Sequence, residues 1–276
     1  MTPITQFYDL TPYQRSKRYF VALKSGIADL LYALPQDGDP RASYDYFHYT
    51  YKEYAHRSGD KRYADEQQQL REDVSYALSK RPYDSDYTLQ AYNRDCKRMD
   101  KKYLYISRQA LADALRLCYN KYLPRAKMQG KRLVFAWVGD DDSASAPQTK
   151  PPWAKDVNVP RAISKIGYEL VEINGYKTAT RCNICHSVFK TCWATRQDRS
   201  TFKVDCNDPD AYGIIDGLRL CDSPECRQAI PECRQAIPDE HPYRIMNLDK
   251  IILCNAISIL NSLKRPQFLK YSTKDA

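Results

Sequence analysis

The chain has 276 residues, enough for one large domain or two small ones with a hydrophobic core. Lys and Arg outnumber Asp and Glu by 43 to 34, and this excess favours a polyanionic partner such as nucleic acid, although many basic proteins bind none. The chain shows neither a signal-peptide pattern at its start nor a run of about 18 apolar residues, so we expect a soluble intracellular protein, nuclear if eukaryotic, with no membrane partner.

The N-terminal region predicts one helix and one strand. Thr11 suits an N-cap, Pro12 suits the first helical turn, and apolar residues recur at helical spacing, which predicts a helix over residues 11–33. A turn follows at 36–40, and alternating aromatic residues over 43–51 favour a strand.

A helical insertion is predicted next, over residues 61–128. Segments 62–80 and 85–103 are charged and helix-friendly with little apolar periodicity, which is typical of solvated helices. Segment 107–122 has a clear apolar face and predicts an amphipathic helix.

The character of the chain changes after residue 130. Residues 133–138 form a continuous apolar run that predicts a buried strand, and Gly139 and three aspartates at 140–142 follow it directly. A helix from Pro160 to Ile166 and a second strand over 168–173 complete a βαβ unit, which implies a parallel pair of strands.

Two close cysteine pairs carry the strongest chemical signal. Cys182 and Cys185 form one short knuckle, and Cys221 and Cys226 form another, which is the arrangement that a tetrahedral structural Zn²⁺ needs. Residues 224–230 are repeated identically as 231–237, so Cys233 competes with Cys226 for one ligand position. The compact spacing from Cys221 favours Cys226.

Besides zinc binding with Cys226 or Cys233 as the fourth ligand, the first knuckle has two other interpretations. His186 turns it into Cys-x-x-Cys-His, which also suits covalent haem attachment, but that role leaves the second cysteine pair unexplained. A thioredoxin-like redox role needs the knuckle to begin a helix after a strand, and the Thr-rich segment before it does not favour this.

Asp249 lies at the start of the last predicted helix, which Asn247 can cap. An acid in a first helical turn can simply complement the helix dipole. Together with Asp140 after the buried strand, it can also belong to a metal cluster, because phosphodiester cleavage by two divalent ions needs several converging carboxylates.

These segments resemble Fanzor nucleases and TnpB-like transposon proteins. Residues 175–186 resemble the family's Glu-Tyr-x-Thr-Ser-x-x-Cys-x-x-Cys-His segment, and residues 217–221 with Cys226 resemble its second knuckle. Residues 247–255 are similar to its Asn-Arg-Asp-x-Asn-Ala-x-x-Asn-Ile motif, and residues 134–140 to its strand ending in Gly-Asp.

The resemblance extends over residues 131–264 and is faint before them, where Asp39-Pro40-Arg41 resembles an Asp-Pro-Gly strand. It implies an α/β, RNase H-like (RuvC-like) domain with a zinc ribbon inserted before its last helix. It also implies guide-RNA-directed DNA cleavage with Mg²⁺ held by three acids. Asp249 matches the third acid, Asp39 is the candidate for the first, and Asp140 is a candidate helper.

The chain departs from the family pattern at the second acid. Gly175 stands where the family has Glu, Ala179 where it has Ser, and Leu248 where it has Arg. Removing one carboxylate leaves less negative charge for two cations. The expected function is a transposon-derived, RuvC-like nucleic-acid-binding protein that is a Mg²⁺-dependent DNA endonuclease if active; its expected partners are DNA and a guide RNA. The alternative is a non-enzymatic zinc-ribbon module that binds nucleic acid or protein.

The expected division of the chain follows from these segments. It comprises an N-terminal helix with partial RNase H-like strands (1–60), a helical insertion (61–128), an RNase H-like core (129–178), a zinc ribbon (179–246), a final helix (247–264) and a tail (265–276).

Overall fold

The fold is mixed α/β. A computed structural model of the chain describes residues 5–26, 29–40, 42–80, 85–139, 158–195, 202–204, 212–221, 223–228 and 244–270. It contains one six-stranded mixed sheet covered by helices on both faces, and a second sheet of four strands. Within these ranges, no helix combines the length and the apolar character needed to span a bilayer.

The larger sheet combines antiparallel and parallel strands. In chain order its strands are β1 (Thr5–Gln6), β2 (Arg18–Lys24), β3 (Asp29–Pro35), β4 (Phe47–Thr50), β5 (Arg132–Val138) and β6 (Leu170–Ile173). Their order across the sheet is β1-β6-β5-β2-β3-β4. Strands β2, β3 and β4 form an antiparallel meander, whereas β5 lies parallel to β2, and β6 parallel to β5.

The helix predicted over 11–33 is wrong. Thr11 does cap a helix, α1 (Pro12–Ser16), through a capping box with Gln14, but that helix has only five residues. The hairpin of β2 and β3 follows it, and both strands are buried almost throughout. A continuous apolar run satisfies helical and strand periodicity equally well, so spacing alone cannot separate a fully buried strand from a helix.

The segment 61–128, predicted as a helical insertion, is helical wherever the structure describes it, with longer elements than expected. Its helices are α2 (Tyr51–Ser58), α3 (Asp60–Lys80) and α4 (Ser85–Met128), and Gly59 between the first two adopts a φ of 74°. The segments predicted as two helices, 85–103 and 107–122, form the single 44-residue helix α4. Its C-terminal half packs into the core, and its N-terminal half extends along α3.

Two apolar cores lie on opposite faces of the larger sheet. On one face, α4 and α5 (Val159–Ile166) cover alternate residues of β2, among them Tyr19 and Leu23. On the other face, α7 (Leu248–Leu260) covers the intervening residues, among them Phe20 and Ala22. The period of two along β2 therefore assigns each side chain to one helix layer.

The predicted βαβ unit and the final helix are confirmed. Strands β5 and β6 pair in parallel and are joined through α5, with Ala136 opposite Val171. Helix α7 begins after Asn247, whose side chain accepts a hydrogen bond from the backbone N–H of Lys250 at 3.1 Å.

The second sheet lies between β6 and α7 in the chain. Its strands are β7 (Lys190–Thr195), β8 (Phe202–Val204), β9 (Tyr212–Cys221) and β10 (Arg244–Asn247), ordered β10-β9-β7-β8 and all antiparallel. A short helix, α6 (Pro224–Gln228), follows β9. The ten-residue strand β9 ends at Cys221.

Candidate metal centre

Four thiols converge at one end of the second sheet. The Sγ atoms of Cys182 and Cys226 lie 3.3 Å apart, those of Cys185 and Cys221 lie 3.4 Å apart, and all four fall within 4.8 Å of one another. Zinc–sulfur bonds of about 2.3 Å in a tetrahedron place the sulfurs about 3.8 Å apart. The residues therefore fit a structural Zn²⁺ bound by four thiolates, as the sequence predicts.

Local backbone geometry aims the first two thiols. The chain from Cys182 to His186 closes a turn in which the backbone N–H of His186 donates to the carbonyl of Cys182 at 3.0 Å. His186 itself adopts a φ of 63°, which turns the chain sharply after Cys185. The backbone N–H of Cys182 donates to the carbonyl of Ser187 at 2.9 Å, so the knuckle folds back on itself.

The other two thiols come from the end of β9 and from α6. Cys221 ends the strand, and Cys226 lies one turn into the short helix, with its backbone N–H donating to the carbonyl of Ser223 at 3.1 Å. The preference for Cys226 as the fourth ligand is thus supported. Cys233 lies outside the described residues.

The surroundings of the thiols give Cys185 a lower pKa than Cys221 and Cys226. Burial raises the pKa values of Cys221 and Cys226. Burial also acts to raise the pKa of Cys185, but hydrogen bonds from Ser187 outweigh it and lower that pKa to about 6. Cys185 therefore ionises readily, whereas Cys221 and Cys226 resist ionisation. Binding of Zn²⁺ to four thiolates must therefore displace protons from the centre.

A buried asparagine connects the cysteine centre to the main sheet. The side-chain amide of Asn255 on α7 donates to the carbonyl oxygens of Thr178 and Arg181, at 2.9 and 2.8 Å. On the other side of the knuckle, the ring of His186 stacks on Phe268, with centroids 3.7 Å apart. The stacked imidazole is not among the four converging ligands, as a structural Cys₄ site requires.

Asp249 lies at the junction of α7 and the larger sheet. It is 5% exposed and belongs to the first turn of α7. A Cβ placed on Gly26, just after β2, would lie 2.2 Å from the Oδ2 atom of Asp249. The carboxylate therefore occupies the space beside the bare backbone at the end of this strand.

The polar side chains of Asp249, Asp29, Ser25 and Tyr51 lie around Gly26, and we call these five residues the hairpin-end pocket. Burial raises the pKa of Asp29; His48 opposes this shift, and the charges of Asp249 and Glu53 add to it. The hydroxyl of Tyr51 lies 3.3 Å from the Ser25 Oγ atom and donates to the carbonyl of Gly26 at 3.4 Å.

Sequence reasoning missed Asp29 and its neighbours. Ser25 follows one buried strand and Asp29 begins the next, and only the hairpin brings them to the same edge of the sheet. Recognising the runs 19–23 and 30–34 as two short strands, separated by a Gly-containing turn, would have found them.

Asp39, the other predicted acid that the structure describes, does not lie with Asp249. Asp39 is exposed and lies beyond the C-terminal end of β3, where Pro35 pairs with Val21. This end of the two strands is opposite to their hairpin end. Asp140 lies outside the described residues. Glu172 accepts a hydrogen bond from Gln6 at 2.8 Å, and the carbonyl of Gly175 accepts one from the Thr178 backbone at 2.9 Å.

The cysteine centre stands alone as a metal site in the part of the chain that the structure describes. There, it is the sole group of three or more His, Cys, Asp or Glu side chains whose ligand atoms converge. No protein-family model matches the chain, and no curated protein matches it significantly.

Proposed function

We propose that this protein is a zinc-containing, RuvC-like nucleic-acid-binding protein related to Fanzor nucleases and TnpB-like transposon proteins. One observation carries the proposal. A four-cysteine centre lies in the chain between β6 and the final helix, and that helix begins with a buried Asp249 at the end of the strand β2. The resemblance implies a zinc ribbon before a last helix that carries the third acid.

The order of the strands supports the same relationship. A three-stranded antiparallel meander, with two further strands added in parallel beside its first strand, is the order expected of an RNase H-like sheet. Strand β1 adds two residues at the outer edge of this sheet. Function still has to be argued from the site, because one fold supports many activities.

The metal centre supports a structural role for zinc. Four thiolates leave no open position on the ion, so Zn²⁺ held there cannot activate water. What it can do is hold β9, α6 and the first knuckle together and present their surface to a partner. The formal charge of +9 favours nucleic acid as that partner.

DNA cleavage is the second candidate function, and the hairpin-end pocket is the observation that favours it. At the end of a central strand, burial raises the pKa of Asp29, and the nearby charge of Asp249 adds to that rise. A two-metal mechanism needs several converging carboxylates, however, and Gly175 contributes none. The described residues therefore suit a binding form better than an Mg²⁺ nuclease, and we assign no catalytic step to them.

Two measurements test the proposal on the intact protein. Metal analysis should find about one zinc per chain. Fluorescence anisotropy should show binding of labelled DNA or RNA that weakens steeply with salt, because phosphate contacts release counterions. Absence of zinc together with absence of binding would overturn the proposal.

Incubating a plasmid or labelled duplex in Mg²⁺ separates the binding form from the nuclease. Cleavage by the wild type that is lost in Asp249→Ala would establish the endonuclease. Binding without cleavage in both proteins would establish the binding form. Zinc with binding to a protein but to no nucleic acid would instead favour the alternative role as a protein-binding module.

A further inference from the structure

The N-terminal half of α4 carries a row of cations on one side. Positions 94, 97, 98, 101, 105 and 108 fall within an arc of roughly 100° on an α-helix and extend over about 21 Å. These positions hold only cations and one tyrosine, and all are exposed: Arg94, Lys97, Arg98, Lys101, Tyr105 and Arg108. We call this surface the basic stripe.

The acids of this region lie elsewhere, and two of them are used in packing against α3. Tyr103 donates to Asp60 at 2.7 Å, and Tyr63 donates to Asp100. The rings of Tyr63 and Tyr103 stack between these bonds, with centroids 4.3 Å apart. Packing of the two helices thus turns Asp60 and Asp100 towards the interface and leaves the cations of α4 facing solvent.

The cations of the basic stripe are not neutralised by nearby acids. Lys97, Arg98 and Lys101 make no ion pair with any described residue. Arg94 has one contact, at 3.9 Å from the carboxylate of Asp95. By contrast, Arg62 on α3 is paired with Glu66 at 2.7 Å, one turn away.

We propose that the basic stripe binds the phosphate backbone of a single-stranded nucleic acid, with Tyr105 stacking on a base. This inference rests on the proposed function and assigns it a surface. A row of cations that follows the backbone, interrupted by an exposed aromatic ring, is the combination that single-stranded nucleic acids bind. Tyr105 is 71% exposed and lies within the arc, between cations on both sides.

The opposite side of α4 is covered by α3, so the basic stripe forms a solvent-facing ridge. The exposed ring of Tyr105 on this ridge favours a single strand over a duplex, because unstacked bases are the ones that can lie against an aromatic side chain.

The test compares two charge-reversed proteins with equal net charge. The stripe variant carries Lys97→Glu, Arg98→Glu and Lys101→Glu. The control carries Lys61→Glu, Arg71→Glu and Lys80→Glu, whose positions are exposed and point in three different directions around α3. Circular dichroism melting of both confirms that each is folded.

Anisotropy titrations with a fluorescein-labelled 30-nucleotide single strand, from 50 to 200 mM salt, give the readout. We expect the stripe variant to bind about 10- to 100-fold more weakly near 100 mM salt, and its salt slope to fall by about 2. The control variant should lose much less affinity. Equal losses in the two variants would overturn the basic stripe while leaving nucleic-acid binding by the wild type intact.

Substitution of Tyr105→Leu tests the single-stranded form of the ligand. We expect weaker binding of the single strand by about 5-fold or more and unchanged binding of the matching duplex. Unchanged binding of the single strand, or an equal loss for the duplex, would show that Tyr105 does not stack on a base. Wild-type protein that binds neither ligand would refute the proposed function itself.

Discussion

The side-chain amide of Asn255 donates a 2.8 Å hydrogen bond to the carbonyl of Arg181, the residue directly before Cys182. The same amide donates to Thr178 at 2.9 Å, and Asn255 is completely buried. Helix α7 begins at the hairpin-end pocket and is fixed to the first cysteine knuckle about two turns later. The metal centre and Asp249 are therefore held by one rigid element.

Replacing Asn255→Ala should weaken both the fold and the grip on the metal. Two carbonyl oxygens lose their donor in a buried place, and we expect a loss of about 2–4 kcal/mol in the free energy of unfolding. Zinc should also transfer faster to a colorimetric chelator, because the knuckle loses its support. Urea denaturation and stopped-flow chelation measure the two effects.

The matched control is Asn261→Ala, just after α7. Asn261 also donates its amide to a carbonyl, that of Gln36 at 2.9 Å, but it is exposed. Its removal should cost about 0.5–1 kcal/mol and leave zinc transfer unchanged. Equal effects of the two alanine substitutions on zinc transfer would contradict the coupling of α7 to the knuckle.

Loss of one thiol should remove the metal. In Cys182→Ser, three thiolates remain for an ion that prefers four, so we expect zinc content well below one per chain and a lower melting temperature. Cys96→Ser, on α4 and outside the quartet, should keep the metal. Mass-spectrometric metal analysis and thermal melting distinguish the two; a metal-free wild type, or full zinc in Cys182→Ser, would refute the site.

The quartet was predictable because its signal is local. The spacing within each knuckle indicates that two thiols can bind one ion, and the compact distance from Cys221 to Cys226 predicts Cys226, whose thiol lies in the cluster. Strands β5 and β6 and the cap of α7 at Asn247 were likewise marked by short-range patterns. Each of these features depends on residues close together in the chain.

The hairpin-end pocket was missed, because it depends on which strands pair. The apolar residues Phe20, Leu23 and Leu31 fit a helix by spacing, although they lie in the buried strands β2 and β3. With that hairpin taken as a helix, Asp29 could not be placed at the same edge as Asp249. Asp39, beyond the far end of β3, stays a prediction.

Stability should fall in acid through Asp45. This buried carboxylate binds the guanidinium of Arg125 and accepts the backbone N–H of Asp39 at 2.7 Å. Burial favours the protonated form, but these bonds outweigh it and hold the pKa of Asp45 below the ordinary 3.8. The folded state therefore takes up this proton less readily than the unfolded state, and the stabilisation, complete above about pH 5, disappears as the pH falls through the folded pKa.

We expect Asp45→Asn to lose about 1–3 kcal/mol at pH 7 and to lose less than the wild type between pH 4 and pH 3. Urea denaturation at pH 7, 4 and 3 measures both quantities. Asp113→Asn, which breaks an exposed pair with Arg116 on the same helix, should cost about 0.5 kcal/mol or less. Identical pH profiles for wild type and Asp45→Asn would exclude Asp45 as the group responsible.

The last prediction concerns the contact between Gly26 and Asp249. A methyl group at residue 26 would meet all three carboxylate atoms of Asp249, the nearest at 2.2 Å and the farthest at 2.9 Å. The carboxylate is buried, so it cannot simply swing into solvent. Gly26→Ala should therefore cost about 1–3 kcal/mol of unfolding free energy.

A double-mutant cycle isolates this contact from any general intolerance of alanine at the turn. In an Asp249→Ala background the obstructing carboxylate is gone, so the added methyl group should cost at least about 1 kcal/mol less than in the wild type. Urea denaturation of the four proteins gives the coupling energy. A coupling of zero would mean that Asp249 does not occupy the space beside Gly26, and the acid would then have no defined place at the end of β2. A large coupling would fix Asp249 at the edge of the sheet where the proposed relationship requires it, independently of whether any DNA is cleaved.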